Sequence, residues 1–187
     1  MKIIKLILSS ILLLLCSGFF YFSYIINNIS NDNRSPTDSI VIFGNEQQNL
    51  YSGVQLLKSG YAPIVFITGN KPREEYTNFL EAQKISPERF IFDQQISCNE
   101  SNHAVNAIMF IEQHKLSSMR LVVSAYQLPR ALLELNANAT QDITIIPHPI
   151  FQKQPNHTLV FKEYAKYILV IIASFIGKDD ELNLSYS

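Results

Sequence analysis

From Leu6 to Ile26 the chain carries no charged residue, and Leu, Ile, Phe and Tyr dominate the run. A helix rises 1.5 Å per residue, so roughly 20 such residues cross a hydrocarbon core of about 30 Å. Lys2 and Lys5 precede the run, whereas the first charges after it, Asp32 and Arg34, nearly cancel. The positive-inside bias then puts the N-terminus in the cytoplasm and the remainder of the chain outside. Tyr21, Phe22 and Tyr24 at the distal end suit an interfacial belt. The competing reading is a cleaved signal peptide, whose apolar region is about 7–15 residues and ends in a small-x-small site. Here the run continues past Cys16-Ser17-Gly18 into aromatics, and Leu15 is bulky where a lipoprotein signal has a small residue. The expected organisation is a cytoplasmic tip over 1–5, a transmembrane anchor over 6–26, a polar stalk over 27–37, a domain over 38–177 and a polar tail over 178–187.

A chain of 187 residues with one anchor leaves enough for a domain that buries a full core. The net charge of −1 supplies no basic field, so nucleic acid is not an expected partner. Cys16 and Cys98 form neither CxxC nor a zinc spacing, and no metal site or disulfide framework is expected. Asn-x-Ser/Thr triplets at Asn28, Asn99, Asn138 and Asn156 read as chance in a chain this rich in Asn and Ser.

Beyond the stalk, short β-branched runs alternate with helical ones. Ser39–Phe43, Ile64–Thr68, Phe90–Phe92, Leu121–Val123 and Ile143–Ile146 read as strands, the last stopped by Pro147-His148-Pro149. Helices are expected over 50–57, 73–83, 102–115, 129–135 and 159–175. The last is almost without polarity from Tyr167 to Ile176, too short to span a bilayer. Core burial is its expected role, with membrane-surface contact beside the anchor as the lesser reading. The alternation implies an α/β fold, a three-layer α/β/α sandwich with a mainly parallel sheet of about five strands, preceded by one transmembrane helix. In such sheets ligands bind outside the carboxyl ends of the strands. Position therefore selects Gly44-Asn45-Glu46, Thr68-Gly69-Asn70 and Ser124-Ala125-Tyr126-Gln127.

The residues at those turns have two readings each. Gly44 and Gly69 serve turn geometry or admit backbone N–H groups to a ligand. Asn102 and Asn106 share a helix face, one as N-cap, both as amides for a polar ligand. His103 beside them is the weak candidate for a catalytic group. Arg130 in the first turn of a helix opposes the macrodipole, which leaves recognition of an anion or a salt bridge to favour it there. Ser124 is not in a GxSxG context.

The same pieces appear in order as Ile40–Gly44, Gly60-Tyr61-Ala62-Pro63, Thr68-Gly69-Asn70, Asn102-His103-Ala104-Val105-Asn106-Ala107, Ser124-Ala125-Tyr126-Gln127-Leu128-Pro129-Arg130-Ala131 and Glu163-Tyr164-Ala165-Lys166. In this the chain resembles the bacterial YdcF/SanA/ElyC family over roughly 38–175. The resemblance implies a Rossmann-like fold, an inner-membrane anchor with an outward domain, and a role in cell-envelope or peptidoglycan-precursor homeostasis. It also implies S-adenosylmethionine as a cofactor, although the residues themselves indicate none: no acidic residue follows the second strand to grip a ribose. Asn49 stands where the family has arginine, His103 and Val105 replace its threonine and glutamate, and Gln127 replaces its histidine. Gln127 and Val105 cannot exchange a proton near neutral pH. The expectation is a divergent member that binds a small polar or anionic ligand, or a lipid-linked one, through Gly44, Asn45, Gly69, Asn70, Asn102, Asn106, Ser124, Gln127 and Arg130. The alternatives are an active transferase or hydrolase with His103 as its base, and a non-catalytic scaffold.

Overall fold

The computed structural model of the protein describes residues 2–29, 35–69, 71–93, 102–152 and 157–184. Within these the chain divides into two compact units, residues 31–152 and the two terminal segments 1–30 and 153–187.

The larger unit is the expected α/β fold. In chain order it contains β1 (Ser39–Phe43), α2 (Gln47–Lys58), β2 (Ile64–Thr68), α3 (Arg73–Ala82), β3 (Phe90–Phe92), α4 (Asn102–Gln113), β4 (Ser118–Ser124), α5 (Leu128–Asn138) and β5 (Thr144–Ile150); α1 and α6 belong to the other unit. All strand pairs are parallel, in the order β3-β2-β1-β4-β5. The chain thus lays strands to one side of β1, then returns to lay β4 and β5 on the other.

Side chains alternate across a strand, and both faces here are covered. Ile40 and Ile42 of β1, Val65 and Ile67 of β2 and Val122 of β4 pack with Leu50, Val54 and Leu57 of α2 and Leu80 of α3. Fully burying one such aliphatic side chain contributes about 1.5–3 kcal/mol. On the other face Phe66 of β2 stacks on Phe110 of α4 at 4.4 Å, and α4 lies beside α5. At the amino edge, Asp38 Oδ2 accepts hydrogen bonds from the backbone N–H and hydroxyl of both Ser117 and Ser118, at 2.8–2.9 Å, and so ties the start of β1 to the start of β4.

Two strands run longer than their apolar cores suggest. β4 begins at Ser118 and takes in Arg120, which is fully buried. Its guanidinium lies over the Tyr61 ring at 4.7 Å and donates to the carbonyl of Ser35, so the charge is stacked and hydrogen-bonded. β5 does not stop at Pro147; it continues through both prolines to Ile150. It is an edge strand, and alternate residues turn their backbone groups the same way. Ile150 offers its carbonyl inward to Ala125 N–H at 3.0 Å. Pro147 and Pro149, out of phase with it, therefore lack their N–H groups on the open side.

The smaller unit consists of α1 (Lys2–Asn28) and α6 (His157–Leu184). α1 is long and apolar enough to cross a membrane, and no residue of the most apolar window along it is buried. The two helices meet where Tyr164 donates its hydroxyl to the Leu15 carbonyl at 3.0 Å. Phe19 packs edge-on against Phe161 and Tyr164, and Phe22 against Tyr164 and Tyr167. Gly18 makes the approach feasible, since a Cβ there would overlap the Tyr164 hydroxyl. The last helix thus buries one face only: Val160 and Tyr164 are covered, while Phe161, Leu169, Ile172 and Phe175 stay exposed.

Candidate functional site

A strand order of β3-β2-β1-β4-β5 places a topological switch point between β1 and β4. The helix after β1 covers one face and the helix after β4 the other, which leaves a crevice between their loops. The residues that follow β1, β2 and β4 at this edge are those selected from the sequence. Asn70 lies outside the described residues, as does the side chain of Asn102, which opens α4.

The loop after β1 is the most fully built. Gly44 has φ +82°, a left-handed conformation that glycine adopts without strain, and its N–H donates to the Thr68 carbonyl at 2.9 Å. Glu46 folds back over it, so that any Cβ at Gly44 would meet the Glu46 carboxylate. The buried amide of Asn49 fixes both ends of this loop: Nδ2 donates to the Phe43 carbonyl at 3.0 Å and to Glu46 Oε2 at 3.4 Å. A carboxylate at the start of α2 also suits the helix dipole. The turn at Gly44 is thus covered by a carboxylate of the chain itself.

Asn45 turns the other way. Its Oδ1 accepts from the Tyr76 hydroxyl of α3, and Gly69 lies beneath the pair, where a Cβ would overlap both atoms. Burial first, then the carboxylates of Glu75, Glu46 and Asp93, raise the Tyr76 pKa above the usual phenol value, so its hydroxyl stays a donor. A cleft of about 280 Å³ opens here, lined by Asn45, Gln47, Lys71, Glu75, Tyr76 and Phe79 among others. Lys71 is engaged by Glu75 at 3.1 Å.

Across the sheet, Asn106 of α4 donates to Asp93, the residue after β3, at the mouth of a second cleft of about 240 Å³ floored by Phe66 and Phe110. His103, one turn earlier on α4, sets its ring against that of Phe43 at 5.8 Å. The β4 loop is tight. Ser124 is buried, its carbonyl accepts from Gln127 N–H at 2.9 Å, and Gln127 leads directly into α5.

Arg130 is buried and gives Nη1 to both carboxylate oxygens of Glu134, at 3.0 and 3.1 Å. Of its two sequence readings, the salt bridge is therefore present, and Glu134 one turn on is what favours a cation at this helix start. The structure thus brings Asn45 and Gly69 to one cleft, sets Asn106 at the other, stands His103 and Gly44 by the end of β1, and holds Arg130 in an ion pair. Sequence reasoning passed over Tyr76 and Asp93, and reached Glu46 only as part of the turn after β1. The available signals were a tyrosine on a buried helix face, whose hydroxyl needs a partner, and acids just beyond strand ends.

No family model and no solved structure matches the chain. Two curated proteins do. An uncharacterised protein of Rickettsia conorii, RC1356, is 31% identical over 171 residues, which is 90% of this chain and 99% of the relative. An uncharacterised protein of Rickettsia prowazekii, RP875, is 31% identical over 169 residues, 89% of this chain and 96% of the relative. Matches of that extent leave fewer residues unaligned than the 27 of α1 or the 28 of α6, so the alignment reaches into the residues of each helix. The chain belongs to the family of these two rickettsial proteins.

Proposed function

We propose that the chain is a membrane-anchored protein of the bacterial cell envelope, with its α/β unit on the outer side of the inner membrane. In this reading the unit binds a small polar ligand at the carboxyl edge of its sheet. The anchoring rests on α1, and the orientation on Lys2 and Lys5 before the apolar run. The envelope role rests on the resemblance to the YdcF/SanA/ElyC family. The observation that carries the ligand class is the makeup of the edge: Asn45, Glu46, Glu75, Tyr76, Asp93 and Asn106 line or flank two clefts, and Lys71 and Arg130 are each engaged by a carboxylate. Amide and carboxylate oxygens accept hydrogen bonds from hydroxyls, whereas an anion would be repelled. Of the polar and anionic ligands expected from the sequence, the geometry favours a hydroxyl-rich one, such as the sugar portion of an envelope precursor.

The test is a thermal-shift and calorimetric titration of the full chain in nanodiscs against amino sugars, sugar nucleotides, inorganic phosphate and S-adenosylmethionine. At about 100 times its dissociation constant, a ligand stabilises the fold by about 2.7 kcal/mol. The reading expects a sugar-dependent shift that Asn45→Ala abolishes. A shift with phosphate alone, retained in Asn45→Ala, would point to the anionic alternative instead. Turnover of a sugar nucleotide that collapses in His103→Ala would favour the enzyme over the binding protein.

A further inference from the structure

α6 presents an apolar stripe that stays largely exposed among the described residues. Phe161, Ala165, Leu169 and Ile172 recur at four-, four- and three-residue steps and so lie along one helix face. Phe161, Leu169 and Ile172 are 60%, 65% and 48% exposed, and Phe175 beside them 69%. Scattered exposed aliphatics are ordinary on a water-facing surface, but a continuous row of this kind is not.

The stripe is continuous with α1. Phe161, its first residue, packs on Phe19, and Tyr164 on the adjoining face hydrogen-bonds the Leu15 carbonyl. Leu15, Gly18 and Phe19 all fall inside the uncharged run Leu6–Ile26. Phe22, in the aromatic belt at the distal end of that run, packs on Tyr164 and Tyr167, so α6 also meets α1 where α1 leaves hydrocarbon. Lys162 lies exposed along one flank of the stripe, and Lys166 one turn on is engaged by Glu163 at 3.3 Å. Long cationic stems beside an apolar row let the charge reach phosphate headgroups while the row sits among acyl chains.

We propose that α6 is a second membrane element. It lies in the bilayer interface, held against α1 through Tyr164, with Phe161, Leu169, Ile172 and Phe175 in the lipid. This rests on the reading of α1 as a membrane-spanning anchor. Together the two helices would fix the rotation of α1 about its axis, which a single smooth anchor cannot do.

The chain contains no tryptophan, so single substitutions give unique reporters. Leu12→Trp, Leu169→Trp and Ile172→Trp are made separately in the full chain and reconstituted into phosphatidylcholine vesicles with plain or brominated acyl chains. Iodide serves as the aqueous quencher. The expected result is at least twofold loss of emission in brominated lipid at all three positions, with protection from iodide. If Leu12→Trp is quenched by brominated lipid while the α6 reporters answer to iodide, the stripe lies in water and the proposal is overturned with the anchor intact. If the α6 reporters answer to neither quencher, protein covers the stripe, and the proposal is likewise overturned. If Leu12→Trp itself escapes the brominated lipid, the anchor reading fails and takes the proposal with it.

Discussion

Gly69 is the residue on which the β1–α3 cleft turns, because Asn45 and Tyr76 can meet only above a position with no side chain. Gly69→Ala should force the pair apart and leave a buried hydroxyl with a displaced partner. A loss of about 1–3 kcal/mol is expected in chemical denaturation, together with loss of sugar binding. Glu46 makes the complementary case. Glu46→Ala removes both the charge and the bulk from the Gly44 turn, and inorganic phosphate, expected to be inert toward the native protein, should then give a measurable thermal shift. His148 of β5 sets the pH response of the fold. Burial, then the charge of Arg120, holds its pKa below the ordinary value, while its Nε2 meets the Ser52 hydroxyl at 3.1 Å. The folded state thus favours the neutral ring. This contribution is fully present above the unfolded value of about 6.5 and is lost as pH falls through the lower folded value. The unfolding midpoint should drop as pH falls below about 6.5, and His148→Gln should flatten that slope.

Among the elements, α5 carries the most decisive test, because Arg130 and Glu134 are both buried, with side chains 8% and 9% exposed. Glu134→Gln removes the Glu134 charge from beside a buried guanidinium and should cost about 3–5 kcal/mol. Replacing both residues by Met and Leu should be nearly neutral, and denaturant unfolding of the single and paired variants separates the two outcomes. Most of this architecture was legible from pattern. β1, β2 and β3 fall on the residues that their apolar runs mark, since a strand buried on both faces leaves an unbroken signature. The remainder was hidden by tertiary context. Arg120 breaks the apolar run of β4 yet is accommodated by Tyr61 and the Ser35 carbonyl, neither of which is near it in sequence. The prolines of β5 read as a stop because nothing local says that the strand lies at an edge. The edge chemistry was half legible. Strand ends named the loops, but the Asn45–Tyr76 and Asn106–Asp93 pairs join segments that only the fold brings together.

For the whole molecule, the proposed orientation makes a direct prediction. In right-side-out vesicles or spheroplasts, added protease should digest the α/β unit, while a tag placed before Lys2 stays protected until the membrane is breached; the reverse pattern would sink the assignment. The anchoring proposed above also gives the outer edge of β5 a further meaning. Molecules confined to a surface meet one another at far higher effective concentration than in bulk, and in fixed relative orientation. An open parallel sheet under those conditions is exposed to its neighbours edge first, and a bare strand there would template growth from one copy to the next. Pro147 and Pro149 withdraw two of the outward donors from that strand and leave only that of Ile145. A lawn of these proteins can therefore crowd without zipping into a continuous β-ribbon through this edge, and each copy keeps its own sheet and its own switch-point crevice.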